Sequence, residues 1–138
     1  MNITKDQFML SKKQIGNIGE DTTVNFLKKR GYDVCARNYA KKCGEIDIVA
    51  KKDNALHFVE VKSTLCEKLP EKSSDNAFYM PEERVTSRKL SRLRKTVGVF
   101  LRNNKISEES EWYFHVSAVY LKLPERIGRV FFIEHQVL

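Results

Sequence analysis

The spacing of apolar residues predicts two amphipathic helices. Apolar or small side chains recur at 3.6-residue spacing across residues 11–30, and Gly31 follows as a stop signal. A second helix is predicted over residues 81–102, because proline suits a first helical turn and the two glutamates after it suit the positive end of the helix dipole. The predicted buried stripes are Ile15, Ile18, Gly19, Thr22, Phe26 and Leu27 in the first helix and Leu90, Leu93, Val97, Phe100 and Leu101 in the second.

Runs rich in β-branched and aromatic residues predict five strands, at residues 32–39, 45–51, 56–62, 112–123 and 129–138. Residues 63–80 have no clear period and are predicted to form a long flexible loop. The order α-β-β-β-α-β-β indicates an α/β fold with a central mixed sheet flanked by helices. We expect residues 1–138 to form a single domain.

Two glycines lie inside the first predicted helix. Gly16 and Gly19 are each about 1 kcal/mol less favourable than alanine there, which indicates close approach to a neighbouring element. Glu20 lies at the border of the apolar stripe, so its carboxylate is expected to point along the sheet toward a site.

Three strand residues carry the strongest candidate chemistry. With Asp53 and Asn54 at the tip of a hairpin, the register places Asp47 opposite Glu60, and Lys62 shares the face of Glu60. Acids directly opposite one another have Cβ atoms about 4.5 to 5.5 Å apart and repel, and a hard divalent cation such as Mg²⁺ or Mn²⁺ would offset that repulsion. Such an ion can polarise a phosphodiester. The alternative interpretation is a solvated polar face with ordinary ion pairs.

The net charge of +7, from 25 basic and 18 acidic residues, favours an anionic partner. The excess is local, because the eight basic residues between positions 84 and 105 are accompanied by no acid. Such a stripe can neutralise phosphates along a duplex, although a solubilising helix face has the same pattern. The candidate nucleic-acid-binding residues are Arg84, Arg88, Lys89, Arg92 and Lys95.

Other patterns narrow the class of protein. No apolar stretch approaches the roughly 20 residues that cross a bilayer, and the first ten residues lack the pattern of a signal peptide, so we predict a cytoplasmic protein without a membrane partner. The three cysteines and three histidines have no spacing typical of a metal or redox motif. The aromatic residues fall on predicted strands, where core packing is the ordinary role, so sequence-specific base readout has no visible carrier.

Four motifs in this order resemble the signature of the small bacterial YraN-like proteins, which are placed among the PD-(D/E)XK nucleases with a restriction-endonuclease-like fold. The motifs are Gly16-x-x-Gly19-Glu20, Arg37-Asn38, Gly44-Glu45-Ile46-Asp47 and Phe58-Val59-Glu60-Val61-Lys62. The resemblance implies that Glu20 is an acid of the active site, that Asp47 and Glu60 bind the metal, and that Lys62 is the catalytic lysine. It also implies a metal contact from the backbone carbonyl of Val61. His115 departs from the family pattern, which has an acid there, and Ser63-Thr64 stand where a basic residue is common.

These observations predict a nuclease, dependent on Mg²⁺ or Mn²⁺, that hydrolyses phosphodiester bonds in DNA. Branched or damaged DNA is the candidate substrate class, and a homodimer is compatible with the cutting of two strands. The alternatives are a non-catalytic nucleic-acid-binding module on a nuclease scaffold and, with only the long loop in its favour, a protein-interaction scaffold.

Overall fold

Five strands and two helices account for the regular structure in the computed structural model, which describes residues 10–71 and 87–136. In chain order the elements are α1 (Lys12–Lys29), β1 (Asp33–Lys41), β2 (Gly44–Lys52), β3 (Ala55–Cys66), α2 (Ser87–Asn103), β4 (Trp112–Lys122) and β5 (Ile127–Gln136). The predicted α/β class, element order and mixed sheet are confirmed. Neither described helix is long and apolar enough to cross a membrane.

The strands lie side by side in the order β1-β2-β3-β4-β5. All neighbours are antiparallel except β3 and β4, which run parallel. A parallel pair needs a crossover connection, and α2 lies in the segment that joins these two strands. This crossover brings the basic helix to one face of the sheet.

The helices cover opposite faces of the sheet. On one face, Val24 and Leu27 of α1 pack with Ile48, Ala50 and Val59. The other face packs against Val97, Phe100 and Leu101 of α2, and its sheet residues include Val49, Phe58 and Phe114. Each large apolar side chain buried in this way contributes about 1.5 to 3 kcal/mol, so both faces are firmly held.

The first helix approaches the sheet most closely at Gly19. Helix α1 begins with a capping box, in which the Ser11 hydroxyl accepts from the Gln14 amide and the Gln14 side chain accepts from the Ser11 amide. A methyl group added to Gly19 would lie 1.8 Å from Oγ of Ser63 on β3, so the predicted close approach is confirmed there. The same expectation is wrong for Gly16, since a methyl group would meet nothing within 4 Å among the described residues.

Two other expectations need correction. Residues 63–66 were assigned to the predicted loop, but they extend β3, because β4 continues to pair with it as far as Cys66 and Lys122. Residues 67–71 form neither helix nor strand, and the rest of the predicted loop lies outside the described residues. Regular strand alternation would place Ile46 on the same face as Ile48 and Ala50, yet Ile46 packs in the cluster on the α2 face.

The predicted start of the second helix cannot be compared with the structure, because residues 81–86, including Arg84, lie outside the described residues. Helix α2 is described from Ser87 to Asn103. Val97, Phe100 and Leu101 of the predicted stripe are buried, whereas Leu90 and Leu93 are half-buried. Thr96, which the apolar pattern did not include, is fully buried.

Candidate functional site

The β2-β3 hairpin has the predicted register. Asp53 and Asn54 have φ values of +53° and +62° and form its tip, as the common two-residue hairpin turn requires. The paired register runs from Lys52 with Ala55 to Ile48 with Val59 and stops one step before Asp47 and Glu60. There the Val61 amide donates instead to Oδ2 of Asp47, at 2.7 Å. This bond fixes the Asp47 side chain at the point where the two strands separate.

Asp47 lines two cavities. The first, which we call the α2 cavity, has a volume of about 260 Å³ and also contains Glu60, Lys89 and Arg92. The second, the α1 cavity, has a volume of about 540 Å³ and also contains Glu20 and Val61. Asp47 therefore lines the α2 cavity together with Glu60 of β3, and it lines the α1 cavity together with Glu20 of α1.

The surroundings of Asp47 disfavour its charged form. Burial raises the pKa of the Asp47 carboxyl from 3.8 to about 6, and the negative charges of Glu20, Glu60 and Glu45 act in the same direction. The hydrogen bond from the Val61 amide lowers this pKa and offsets only part of the effect. The single hydrogen bond from Val61 is therefore not enough to stabilise the negative charge of Asp47 beside these acids.

Glu20 leaves a buried oxygen without a hydrogen bond. Its side chain is 12% exposed, and Nη2 of Arg37 lies 3.6 Å from Oε1, which is too long for a hydrogen bond. Arg37 binds Asp21 more closely, at 2.8 Å. Oγ of Ser63, in the same α1 cavity, is likewise buried and has no hydrogen-bond partner among the described residues. Buried oxygens without partners are uncommon, and here two of them line one cavity with Asp47.

Glu60 is paired with the basic helix. Nζ of Lys89 lies 2.6 Å from Oε1 of Glu60, and the two side chains are 45% and 23% exposed. Arg92, one helical turn further along α2, lines the same cavity. Arg88 and Lys95 are exposed on α2 and line neither cavity.

Lys62 does not join the acids in either cavity. The side chain is exposed and makes no ion pair or hydrogen bond within the described part of the chain. It lies two residues after Glu60 on β3, beyond the segment paired with β2. The structure therefore brings Asp47 together with Glu60 and with Glu20, and leaves Lys62 at the solvent boundary.

The described residues contain no group of three His, Cys, Asp or Glu side chains arranged to hold a metal ion. The α2 cavity is instead lined by three acidic residues, Glu45, Asp47 and Glu60, and the α1 cavity by Glu20 and Asp47, with the hydroxyl of Ser63 as an additional oxygen. An open set of oxygen ligands suits Mg²⁺, which usually binds one or two carboxylates and keeps several waters.

The sequence interpretation missed a buried histidine pair. Nδ1 of His57 lies 2.8 Å from Nε2 of His115, and both rings are buried. Tyr32 contacts His57 edge-on, and Phe132 packs against His115. The two histidines are 58 positions apart and meet only through the parallel register of β3 and β4, which no sequence pattern reveals. His115 thus packs in the interior at the position where the YraN-like pattern has an acid.

The sequence interpretation also missed the contacts of Arg37 and Ser63. Arg37 was part of a motif without an assigned role, and Ser63 was placed in a loop. The signal for Arg37 was a lone basic residue in a predicted strand that follows a helix containing Glu20 and Asp21, but its contact depends on how α1 lies on the sheet.

Fold and site together define an α/β protein with a half-buried acidic centre between two helices. A model of the uncharacterised protein family UPF0102 matches residues 19–123. Similar proteins include a UPF0102 protein of Caldicellulosiruptor saccharolyticus, 34% identical over 118 residues that make up 86% of this chain and 92% of the relative. Others are from Campylobacter jejuni, 42% identical over 68% of this chain and 74% of the relative, and Dictyoglomus turgidum, 40% identical over 70% and 75%. The chain belongs to the UPF0102 family, which confirms the predicted YraN-like membership.

Proposed function

We propose that this protein is a divalent-metal-dependent nuclease that hydrolyses phosphodiester bonds in DNA. The observation that carries the proposal is the position of Asp47, half-buried between Glu20 and Glu60 and lining a cavity on each side. An acid cluster of this kind is destabilising unless a cation or a proton neutralises it. The basic helix beside the α2 cavity supplies donors for a phosphate.

The residues fit a hard divalent cation. Asp47 and Glu60 would hold Mg²⁺ or Mn²⁺, with the Val61 carbonyl as a further oxygen ligand, and Glu20 adds a carboxylate from the α1 cavity. Two buried oxygens without hydrogen bonds, on Glu20 and Ser63, agree with a site that is completed by a ligand. When bound, the cation supplies Lewis-acid polarisation of the phosphodiester.

The protein's own side chains have separate roles in the proposed hydrolysis. Lys62, at the solvent boundary, orients or deprotonates the attacking water, or stabilises the negative charge that develops on the phosphate. Hydrolysis forms one bond from the water oxygen to phosphorus and breaks the bond to the leaving oxygen, which takes up a proton. Arg92 and Lys89 bind the phosphate from α2.

The substrate class follows from the basic helix. Exposed Arg88 and Lys95 extend the positive surface beyond the cavity, where contacts to a phosphate backbone position a duplex without reading its bases. Branched or damaged DNA therefore fits the proposal better than a defined sequence. We further propose a cytoplasmic location, and a homodimer would allow two strands to be cut.

Purified protein is expected to cleave linear, flapped or four-way DNA with Mg²⁺ or Mn²⁺ and not with EDTA. Lys62→Gln should lower the cleavage rate by about 10²-fold or more, the range for loss of general acid-base help, and should retain DNA binding. Gel assays of cleavage and binding on the same substrates check both results. Equal cutting by wild type and Lys62→Gln would indicate a contaminating nuclease and contradict the proposal.

Replacing Arg88 and Arg92 together by alanine is expected to weaken DNA binding and flatten its salt dependence. Each lost phosphate contact reduces the slope of log K against log salt by about 0.9 for duplex DNA. Fluorescence anisotropy between low and moderate salt measures that slope. Lys28→Ala with Lys29→Ala, in the last turn of α1, is the matched control and should leave the slope unchanged. An unchanged slope in the Arg88 and Arg92 variant would exclude α2 as the DNA contact.

The second candidate is a non-catalytic nucleic-acid-binding module. Two observations favour it: Lys62 lines neither cavity, and the carboxylate of Glu60 is paired with Lys89. DNA binding that depends on Arg88 and Arg92, without metal-dependent cleavage of any substrate form, would select this function over the nuclease.

A further inference from the structure

The ion pair between Lys89 and Glu60 couples the proposed metal site to the proposed phosphate site. We infer that Lys89 is a positioning residue that acts as the counter-ion of Glu60 in the metal-free protein and moves to a DNA phosphate when the cation binds. The inference rests on the proposed function and deepens it, because it specifies how the same site takes up its two ligands. Its basis is one contact, the 2.6 Å distance from Nζ to Oε1.

Position and charge make Lys89 a competitor of the cation. The ammonium occupies one oxygen of a carboxylate that lines the same cavity as Asp47. A divalent ion on Glu60 would lie next to this ammonium, and two positive charges at such separation repel. Binding of the cation therefore requires that Lys89 leave Glu60 or lose contact with it.

The Lys89 side chain is able to move from Glu60 to a different partner. It is 45% exposed, and its flexible four-carbon stem carries a compact charge that can be redirected without moving the helix. Arg92 lines the same cavity one turn along α2 and provides a second donor for the same phosphate. A phosphate entering between them would give the displaced ammonium a new partner.

Thermodynamic linkage turns this exchange into cooperativity. If a phosphate draws Lys89 away from Glu60, DNA strengthens cation binding, and the cation must strengthen DNA binding by the same factor. The metal-free protein is then held in a state with low affinity for both ligands. The acidic centre is protected from self-repulsion on the Glu60 side by a residue that also recognises the substrate.

Mn²⁺ binding to the protein without DNA tests the first half of the inference. Lys89→Gln is expected to bind Mn²⁺ about fivefold more tightly or better than wild type, at the lower end of ordinary coupling between sites. Arg94→Gln removes the same charge from an exposed position on α2 and should change the affinity much less. Titration calorimetry, or the electron paramagnetic resonance signal of free Mn²⁺, gives the affinities. Equal or weaker binding by Lys89→Gln, with Mn²⁺ binding still lost in Asp47→Asn, overturns the inference and leaves the nuclease proposal intact.

Mn²⁺ affinity measured with duplex DNA tests the second half. In a Lys62→Gln background, which slows cleavage of the DNA, DNA should raise the Mn²⁺ affinity of the protein that retains Lys89 and should not raise it when Lys89→Gln is added. Persistence of this coupling without Lys89 overturns the exchange. Absence of any Mn²⁺ binding that depends on Asp47 overturns the inference and the metal-dependent function together.

Discussion

Asp47→Asn is expected to stabilise the metal-free protein at pH 8 while reducing metal-dependent cleavage. The charged carboxylate is disfavoured by burial and by neighbouring acids, and asparagine removes the charge yet keeps an oxygen that can accept from the Val61 amide. A pKa raised from 3.8 to about 6 corresponds to about 2 to 3 kcal/mol of stability gained by the variant. Cleavage should fall by about 10³-fold, because Lewis-acid stabilisation is worth several kcal/mol.

The sign of the pH dependence follows from which state of the protein binds the proton more tightly. Between pH 3.8 and about 6 the folded protein keeps a proton on Asp47 that the unfolded chain has lost, so wild-type stability falls as the pH rises through this window. The difference between Asp47→Asn and wild type should be small below pH 4 and complete above pH 6 to 7. Urea denaturation in EDTA at several pH values measures it.

Asp33→Asn is the control for this pair of measurements. Asp33 is an exposed residue at the start of β1, and its replacement should change stability by less than about 0.5 kcal/mol at any pH. A gain from Asp47→Asn that is equal at pH 4 and pH 8 would show a packing effect and refute the electrostatic explanation. Added Mg²⁺ should raise the melting temperature of wild type and leave that of Asp47→Asn unchanged.

Gly19→Ala is expected to destabilise the protein by about 1 to 3 kcal/mol, the ordinary cost of overpacking a core. The new methyl group would lie 1.8 Å from Oγ and 3.0 Å from Cβ of Ser63. Rotation of the hydroxyl relieves the first contact only, so α1 or β3 must shift to relieve the second. Glu20, the next residue, would move with the helix, and its distance from Asp47 would change. Thermal and urea denaturation measure the loss.

Gly16→Ala provides the contrast within the same helix. Nothing described lies within 4 Å of the added methyl group, so the substitution should stabilise the protein by up to about 1 kcal/mol through helix propensity alone. Ser63→Gly combined with Gly19→Ala should recover part of the lost stability, since it removes both atoms of the clash. Equal effects of the two alanine substitutions would contradict the close approach of α1 to β3.

Several elements of the fold were readable from local patterns. The hairpin register was predictable because Asp and Asn tolerate the positive φ values of a two-residue turn, and that turn fixes every pair along the ladder. The second helix was predictable from its apolar stripe. The far end of β3 was not, because residues 63–66 are extended only through pairing with β4, a partner distant in sequence.

The residues of the candidate site were predictable from the sequence, but their burial and their contacts were less so. Alternation along the strands placed Glu60 and Lys62 on one face, but it gave no information on depth, and Lys62 is exposed while Glu60 is only 23% exposed. The pairing of Lys89 with Glu60 depends on where the crossover places α2. A periodic pattern can show which face of a helix is polar but cannot identify the residue that this face meets.

The sequence by itself determined the elements, the β2-β3 register, the basic character of α2 and the acids that carry the candidate chemistry, because these depend on neighbours within one hairpin or one helical turn. Only the tertiary structure decided that Asp47 is shared by two cavities, that Lys89 neutralises Glu60, and that His57 meets His115. Each of these contacts joins segments through the packing of α1, the crossover of α2 or the parallel pairing of β3 with β4. Such contacts are set by the burial of whole faces of the sheet, and no local spacing encodes them.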